Sequence, residues 1–284
     1  MSHSASASAV RPERISDFDI ELKLLLEAVY LKYQHDFRHY SMSSLRRRVL
    51  HALDEFGLAT LSQLQDRIMR DSADFSRLFR YLTVQVSDMF RDPAYFLALR
   101  EHVLPLLRTY PSIKVWVAGC STGEELWSLK ILFDEEGLTE RTLFYATDID
   151  PDALARAEAG IYALDRIAGF TQNYLAAGGR GSLSDYYHAA YGGARFASSL
   201  RDRVVFADHS LATDEVFLEA HLVSCRNVLI YFDRVLQNRA VGLFERALVR
   251  RGFLGVGSKE TLRFSDQHEA FDAFRERERI YQKR

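Results

Sequence analysis

Acidic side chains follow two short apolar segments of this chain. Glu124 and Glu125 come after the segment 113–118 and a small-residue turn, and Asp148 and Asp150 come directly after the segment 143–147. Carboxylates at the ends of neighbouring parallel strands accept hydrogen bonds from ribose hydroxyls, and near a helix start they repel phosphate. The pattern indicates a nucleoside ligand that carries a cation and no phosphate, a description that S-adenosylmethionine meets. The alternative is that these residues are only acids of a helix start and a loop.

The turn between the apolar segment 113–118 and Glu124 contains Gly119 and Gly123. Glycine at these positions lets a ligand approach the backbone closely. No GxxxxGK[ST] pattern is present, which argues against a phosphate-binding loop. Ser121 and Glu124 have the spacing of a capping box, and Asp150 is expected to cap a helix that begins at Pro151.

Two kinds of pattern divide the chain. Residues 13–82 have helical periodicity and almost no Gly or Pro; the first helix is expected to bury Ile20, Leu24, Leu25, Val29 and Leu31. After Pro93, strand-sized apolar segments at 113–118, 143–147, 204–207, 222–225 and 253–256 alternate with helical patterns, which predicts a parallel α/β sheet. The Gly-, Ser- and Tyr-rich stretch 178–193 indicates an inserted hairpin or long loop, and residues 1–12 a flexible tail.

Composition excludes several classes of protein. The 284 residues are 48 % hydrophobic and 27 % charged, as in globular chains, and the net charge of −2 argues against a nucleic-acid coat. No apolar run is long enough to span a bilayer, and the N-terminus lacks the features of a secretory signal. Two cysteines are too few for a disulfide framework or a zinc site, so a reducing cytoplasm is the expected compartment.

Four motifs in this order resemble those of CheR-type chemotaxis receptor methyltransferases. They are VSDMFRDP (86–93), AGCSTGEE (118–125), ATDID (146–150) and CRNVLIYFD (225–233), and the match extends from about residue 20 to the end. The resemblance implies a Rossmann-like S-adenosylmethionine-dependent methyltransferase domain at 83–284, with a small β-subdomain inserted at about 161–203, and an all-helical N-terminal domain at 13–82. It also implies methylation of glutamate side chains on the cytoplasmic helical bundles of chemoreceptors, without a metal.

The resemblance assigns roles residue by residue. Arg91 matches the arginine beside the transferred methyl group, and Tyr231 matches the tyrosine that faces it. With the turn residue Gly119, the donor-binding residues are then Gln85, Ser87, Arg91, Glu125, Asp148, Ser210, Leu211, Cys225, Arg226 and Asn227. Glu124 is expected to serve mainly as a helix cap. Gln85, Ser87 and Ser210 depart from the Asn, Thr and Asn that are usual in the family.

Arg46, Arg47 and Arg48 form a basic run in the predicted second helix. Such a run is often only a solvated face, and the resemblance favours a docking surface for an acidic receptor helix. Aromatic residues are not interleaved with it, so nucleic-acid binding is not expected. We expect a monomer that does not insert into a membrane. Because the stretch 178–193 diverges from the family, we expect that it does not bind the tether peptide of a receptor.

Two other functions remain open at this point. The donor pocket could serve another acceptor, such as a small acid, although the helical domain argues against that. The chain could also be a non-catalytic chemosensory module, although the presence of both Arg91 and Tyr231 argues against it.

Overall fold

The computed structural model describes residues 15–284, so the predicted tail lies outside the described residues. These residues divide into two compact units. The helical unit holds the described residues up to Arg38 together with Leu45–Leu82, and the catalytic-fold unit holds His39–Ser44 and Thr83–Arg284. The helical unit ends at Leu82, and the segment His39–Ser44 belongs to the second unit.

Four helices build the helical unit: α1 (Asp17–Tyr33), α2 (Met42–Phe56), α3 (Leu61–Arg70) and α4 (Ser72–Leu82). Ser16 caps α1 by accepting the Asp19 N–H at 3.2 Å. Thr60 and Gln63 form a capping box at the start of α3. These local hydrogen bonds satisfy backbone donors that a helix start leaves without a partner.

The buried face of α1 agrees only in part with the predicted one, because Leu25 and Val29 are buried as expected but the other three predicted residues are not. Ile20, Leu24 and Leu31 are 46 %, 56 % and 66 % exposed, and the buried apolar residues of this helix are Leu22, Leu25, Leu26 and Val29. At 3.6 residues per turn, the three exposed residues lie within about 40° of one another on the opposite side of the helix. The prediction failed because α1 carries apolar residues on two faces, so periodicity alone could not select the core side.

A seven-stranded sheet forms the centre of the catalytic-fold unit, in the order β6-β2-β1-β7-β8-β10-β9. Its strands are β1 (Ile113–Ala118), β2 (Thr142–Asp148), β6 (Val204–Asp208), β7 (Ala220–Cys225), β8 (Leu248–Val256), β9 (Phe271–Arg275) and β10 (Ile280–Lys283). The first five are parallel, and β10 pairs antiparallel to β8 and to β9. This sheet confirms the predicted Rossmann-like α/β class.

The helices of this unit are α5 (Pro93–Ala98), α6 (Leu104–Leu107), α7 (Glu124–Glu135), α8 (Pro151–Ala159), α9 (Leu164–Ala176) and α10 (Arg234–Ala247), and a π-helical turn (Leu99–Val103) joins α5 to α6. Successive residues of β1 point to opposite faces of the sheet. Val115 and Val117 therefore join the apolar cluster of Trp127, whereas Trp116 and Ala118 join the cluster on the other face. Within residues 15–284, no helix is long and apolar enough to cross a membrane.

A small antiparallel sheet is inserted between α8 and β6. It consists of β3 (Ile161–Ala163), β5 (Gly193–Phe196) and β4 (Tyr187–Ala190), in that order, and α9 lies in the chain between β3 and β4. Tyr191 and Gly192 form the turn between β4 and β5, both with positive φ, as a tight hairpin turn requires. The inserted β-subdomain agrees with the expectation from the resemblance.

Candidate active site

The carboxyl ends of β1, β2, β7 and β8 lie along one edge of the sheet because these strands are parallel. The loops that follow these strands carry most of the residues singled out in the sequence. We call the turn 119–123 together with Asp148 and Asp150 the acidic edge.

The turn after β1 has an unusual backbone. Gly119, Ser121 and Gly123 have φ of 69°, 51° and 91°. A Cβ on Gly119 would lie 2.6 Å from a methyl group of Val228, so only glycine fits there. Gly123 precedes α7 without any side-chain cap, so the predicted capping box of Ser121 and Glu124 is wrong.

Asp148 lies at the end of β2 and is 8 % exposed. One carboxylate oxygen accepts the Ser121 N–H at 2.8 Å and the other accepts the Asp150 N–H at 3.0 Å. Burial raises the pKa of Asp148 to about 6. Each oxygen retains a second acceptor position, so the carboxylate can also accept hydrogen bonds from ribose hydroxyls.

Asp150 caps α8, as predicted, by accepting the N–H groups of Asp152 and Ala153 at 2.9 and 3.2 Å. Its other oxygen accepts the Gln85 side-chain amide at 3.1 Å, and the amide oxygen of Gln85 accepts the Ser121 hydroxyl at 2.5 Å. Gln85 therefore links the two halves of the acidic edge, and its predicted place beside the donor pocket is compatible with these contacts.

Glu124 and Glu125 point to different partners. Glu124 is fully buried and accepts the Arg166 guanidinium and the Thr122 hydroxyl, each at 2.7 Å. Arg166 also donates to the Ser87 carbonyl. The expectation that Glu124 mainly caps a helix is wrong, because its side chain forms a buried ion pair with α9 instead.

Glu125 belongs to what we call the Arg226 cluster: Asp92, Tyr95, Glu125, Ser224 and Arg226. Glu125 accepts the Ser224 hydroxyl at 2.7 Å and Arg226 Nη1 at 3.2 Å. Arg226 Nη2 donates to Asp92 at 2.8 Å, and the guanidinium stacks on the Tyr95 ring at 4.1 Å. The Arg226 side chain is 1 % exposed, so it holds the loops together rather than facing solvent.

Arg91 lies in a strained loop. Phe90 and Asp92, on either side of it, have φ of 50° and 57°, a region that non-glycine residues rarely adopt and that is common at functional sites. Its carbonyl accepts Arg226 Nη2 at 2.9 Å. The half-buried Arg91 side chain makes one long contact, 3.4 Å to the Val86 carbonyl, and forms no ion pair with any described residue. Its guanidinium is therefore available to an incoming anion.

Tyr231 ends a 3-10 turn (Leu229–Tyr231) after β7, and main-chain contacts fix it on both sides. Its carbonyl accepts the Ser41 N–H at 2.7 Å, and Asp233 N donates to the His39 carbonyl at 2.8 Å. Tyr40 forms an antiparallel bridge with Phe232. The segment His39–Ser44 thus lies against the loop that carries the predicted catalytic tyrosine.

Glu260 is a positioning residue that the sequence interpretation missed. It is 4 % exposed and accepts the N–H groups of Asn227, Ile230 and Gly257 at 3.0, 3.2 and 2.5 Å. Burial raises its pKa. Asn227 has a φ of 61°, so the carboxylate stabilises a strained part of the Tyr231 loop. Asp148 was identified as an acid that follows a strand-sized apolar segment. Glu260 follows the apolar segment 253–256 in the same way, so the same pattern could have identified it.

The remaining predicted donor residues lie near the same edge with different exposure. Ser210 follows His209, whose N–H donates to the Asp148 carbonyl at 3.2 Å, and the Ser210 N–H donates to Asp214. Leu211 is 6 % exposed in the apolar cluster of Trp116. Cys225 is fully buried and burial raises its thiol pKa, which disfavours a nucleophilic role.

The basic run of α2 is not a uniform surface. Arg46 is half exposed and pairs with Asp19, and Arg47 is exposed. Arg48 is 9 % exposed and donates to the Leu82 carbonyl, so its inclusion in an exposed docking surface is wrong. Helical periodicity places Arg48 beside Val49 and Leu45 on the core side of α2. A run of three identical residues does not by itself show which of them faces the core.

The charges of the site fit a cationic nucleoside donor. The acidic edge combines two carboxylates with a glycine turn, and no cationic side chain forms an ion pair with Asp148 or Asp150 among residues 15–284. S-adenosylmethionine, when bound, supplies an electrophilic methyl group on a sulfonium. Across the described chain, no group of three or more His, Cys, Asp or Glu side chains could hold a metal ion.

Residues 85–279 match the family described as CheR methyltransferase, SAM binding domain, and residues 20–83 match CheR methyltransferase, all-alpha domain. This chain belongs to the CheR methyltransferase family. The suspected resemblance is therefore confirmed, and the protein is an S-adenosylmethionine-dependent methyltransferase of the kind found in chemotaxis.

Several relatives of this CheR-family methyltransferase span most of its length. A Pseudomonas putida KT2440 protein that bears the name methyltransferase Cher3 is 57 % identical over 93 % of this chain and 97 % of its own. The chemotaxis protein methyltransferase of Salmonella typhimurium LT2 is 30 % identical over 76 % of this chain and 73 % of its own. The chemotaxis protein methyltransferase of Listeria monocytogenes EGD-e is 29 % identical over 80 % of this chain and 84 % of its own.

Proposed function

We propose that this protein transfers the methyl group of S-adenosylmethionine to glutamate side chains of chemoreceptors. The products are glutamate methyl esters and S-adenosylhomocysteine. The observation that carries the proposal is the Arg91 guanidinium, which sits in a strained loop held by Arg226 and has no carboxylate partner among the described residues. The names of the relatives from Salmonella and Listeria support a role in chemotaxis.

The acceptor requires no general base. A glutamate carboxyl has an ordinary pKa of about 4.3, so it is already ionised at neutral pH. In the reaction, a carboxylate oxygen forms a bond to the methyl carbon while the carbon–sulfur bond breaks and its electron pair stays on sulfur. The contribution of the protein is alignment, with the reacting atoms about 3–3.5 Å apart and in line.

Arg91 orients the acceptor in this proposal. A guanidinium can hold a carboxylate through two parallel hydrogen bonds and so present one oxygen to the methyl group. In this proposal, the ring of Tyr231 bounds one side of the site and its hydroxyl lies near the methyl group. The Arg226 cluster fixes the main chain of Arg91, and Glu260 and the segment His39–Ser44 fix the Tyr231 loop.

The donor is held on the acidic edge. Asp148 accepts the ribose hydroxyls, Gly119 allows close approach, and Glu125 offers its remaining acceptor positions to the amine of the donor. Gln85, Ser87, Ser210, Leu211, Cys225, Arg226 and Asn227 complete the proposed pocket. No metal takes part in this proposal.

The partner in this proposal is the cytoplasmic helical domain of a chemoreceptor. Arg46 and Arg47 on α2 contribute to docking through their positive charge. The protein acts as a monomer in the cytoplasm and binds neither nucleic acid nor the interior of a membrane.

A methyl-transfer assay tests the proposal. Protein, labelled S-adenosylmethionine and membranes that carry chemoreceptors are mixed, and base-labile label is counted. We expect labelled receptor bands with the wild type and a loss of about 30- to 150-fold with Arg91→Ala, because a lost charge-assisted pair is worth about 2–3 kcal/mol. Arg277→Ala, at an exposed arginine on the β9–β10 connection, is the matched control and should retain activity.

Three outcomes would contradict parts of this proposal. Donor binding without label transfer to receptors would favour a non-catalytic module or another acceptor. Equal losses of donor affinity and turnover in Arg91→Ala would make Arg91 a donor-binding residue. No donor binding by the wild type would contradict the roles of Asp148 and Glu125.

A further inference from the structure

A groove of about 210 Å³ lies on the catalytic-fold unit beside the Tyr231 loop. Its walls are the turn that carries Leu229 and Ile230, the first two turns of α10, and the loop 259–265 that follows β8. Because β7 and β8 are parallel, the loops after them lie at the same edge of the sheet, and Ile230 is the neighbour of Tyr231 in the chain. The groove therefore opens next to the proposed methyl-transfer site.

Four of the residues that line the groove are apolar, and two of these remain partly exposed. Ile230 is 39 % exposed and Phe264 is 59 % exposed, while Leu229 and Val241 form the buried floor. The volume is below the roughly 300–1,000 Å³ of a typical small-molecule site. It suits one or two side chains of a larger partner.

The rim of the groove is basic. Arg234 and Lys259 line the groove, and Arg263 lies beside it, with its guanidinium 5.9 Å from the centre of the Phe264 ring. The Arg234 guanidinium lies 5.5 Å from the same ring. None of these three cations forms an ion pair with any residue that the structure describes. An exposed aromatic ring therefore has two cations within 6 Å. Such a surface favours a partner that carries both apolar and acidic side chains.

The acids on the same segments already have partners. Glu260 accepts three backbone N–H groups, Asp233 pairs with His39 at 2.9 Å and caps α10, and Asp266 accepts the Asn238 amide at 2.6 Å. None of these carboxylates forms an ion pair with Arg234, Lys259 or Arg263, so the three cations remain open to an anionic partner. The electrostatic complement of this groove is an anionic segment.

We propose that this groove, which we call the basic groove, binds an acidic amphipathic helix of the receptor that carries the glutamate to be methylated. An apolar side chain of that helix enters beside Ile230 and Phe264, and acidic side chains next to it contact Arg234, Lys259 and Arg263. The inference rests on the proposed function, and it adds a contact surface on the catalytic-fold unit itself. Its effect is to set the position of the acceptor glutamate relative to Tyr231.

Steady-state methylation of a purified receptor cytoplasmic fragment tests this inference. The variants are Phe264→Ala and the triple charge reversal Arg234→Glu, Lys259→Glu and Arg263→Glu, and the matched control is Arg250→Glu at the other end of β8. We expect the KM for the receptor to rise about fivefold or more in Phe264→Ala and tenfold or more in the triple variant. We also expect kcat at saturating receptor and the Kd of S-adenosylmethionine to stay within twofold, since none of the proposed donor-binding residues lines the groove.

Salt provides a second readout. The wild-type KM should rise with ionic strength, and the triple variant should lose most of that dependence. An unchanged KM in both variants, with wild-type methylation intact, would overturn the inference and leave the proposed function standing. Absence of wild-type methylation would instead contradict the proposed function. If the variants change a monomer–dimer equilibrium in sedimentation rather than KM, the groove binds a second copy of this chain and the inference is wrong.

Discussion

Asp148 ends β2 and Glu125 lies in the first turn of α7, the helix that follows β1, and the two carboxylates sit in opposite electrostatic surroundings. Asp148 is held by backbone N–H groups, and the carboxylate of Asp150 is its near neighbour. Glu125 is held by a hydroxyl and by the buried Arg226, which also pairs with Asp92. The acidic edge thus keeps its negative charge, which suits a cationic donor.

The other side of the site is nearly neutral by formal charge. Arg226 and Arg91 offset Glu125 and Asp92, so a further carboxylate can approach without facing an excess of negative charge. Under the proposed function, this contrast lets one edge of the sheet receive a cationic donor and an anionic acceptor.

The largest expected effect follows from Arg226→Leu, which leaves Glu125 and Asp92 without their shared cation. Removing one partner of a buried ion pair typically costs about 3–5 kcal/mol in unfolding free energy. Both tryptophans, Trp116 and Trp127, lie in the catalytic-fold unit, so denaturant unfolding followed by tryptophan fluorescence reports on that unit. The double variant Arg226→Leu with Glu125→Gln should recover part of the loss. A stability within 1 kcal/mol of the wild type would show that the cluster contributes little.

A smaller effect is expected from Asp148→Asn on donor binding. Hydrogen bonds to a charged acceptor are worth about 1.5–3 kcal/mol, so the Kd of S-adenosylmethionine should rise about 10- to 100-fold at pH 8. Calorimetric titration measures this change, and the fluorescence transition of the catalytic-fold unit shows whether the variant is folded.

The pH dependence of donor binding has a definite sign. Burial raises the pKa of Asp148 from 3.8 to about 6, so its contribution to folding stability is greatest at low pH and is lost as the pH rises through about 6. Ribose hydroxyls bind the ionised carboxylate better, so wild-type affinity should fall as the pH drops below about 6. The Asp148→Asn variant should lack this transition. A wild-type affinity that is constant from pH 5 to pH 8 would contradict the role of Asp148.

The smallest effect is expected from Glu260→Gln, which keeps the shape of the side chain but has one oxygen acceptor for three backbone donors. We expect kcat to fall about 3- to 10-fold, equivalent to about 1 kcal/mol, because the Tyr231 loop loses part of its support. The KM for the receptor should change less than kcat. An unchanged kcat with reduced thermal stability would make Glu260 a purely structural residue.

Features that depend on local sequence could be predicted. The five parallel strands, the glycine turn, Asp148 and the Asp150–Pro151 helix start all follow from patterns within a few residues, whereas β9 and β10 were not predicted. Partners distant in sequence could not be predicted in the same way. Glu124 pairs with Arg166, which is 42 residues away, and Arg48 bonds to Leu82, 34 residues away. Which of several nearby polar groups becomes buried depends on packing that no short pattern contains.

The segment His39–Ser44 has a consequence for how this protein can be cut or recombined. The chain passes between the two units three times, after residues 38, 44 and 82, because this segment leaves the helical unit to pair with Tyr231 and Asp233. A truncation at residue 83 would therefore remove part of the catalytic-fold unit along with the helices. A chimera that exchanges the helical units of two relatives keeps the Tyr231 loop intact only if His39–Ser44 stays with its own catalytic fold.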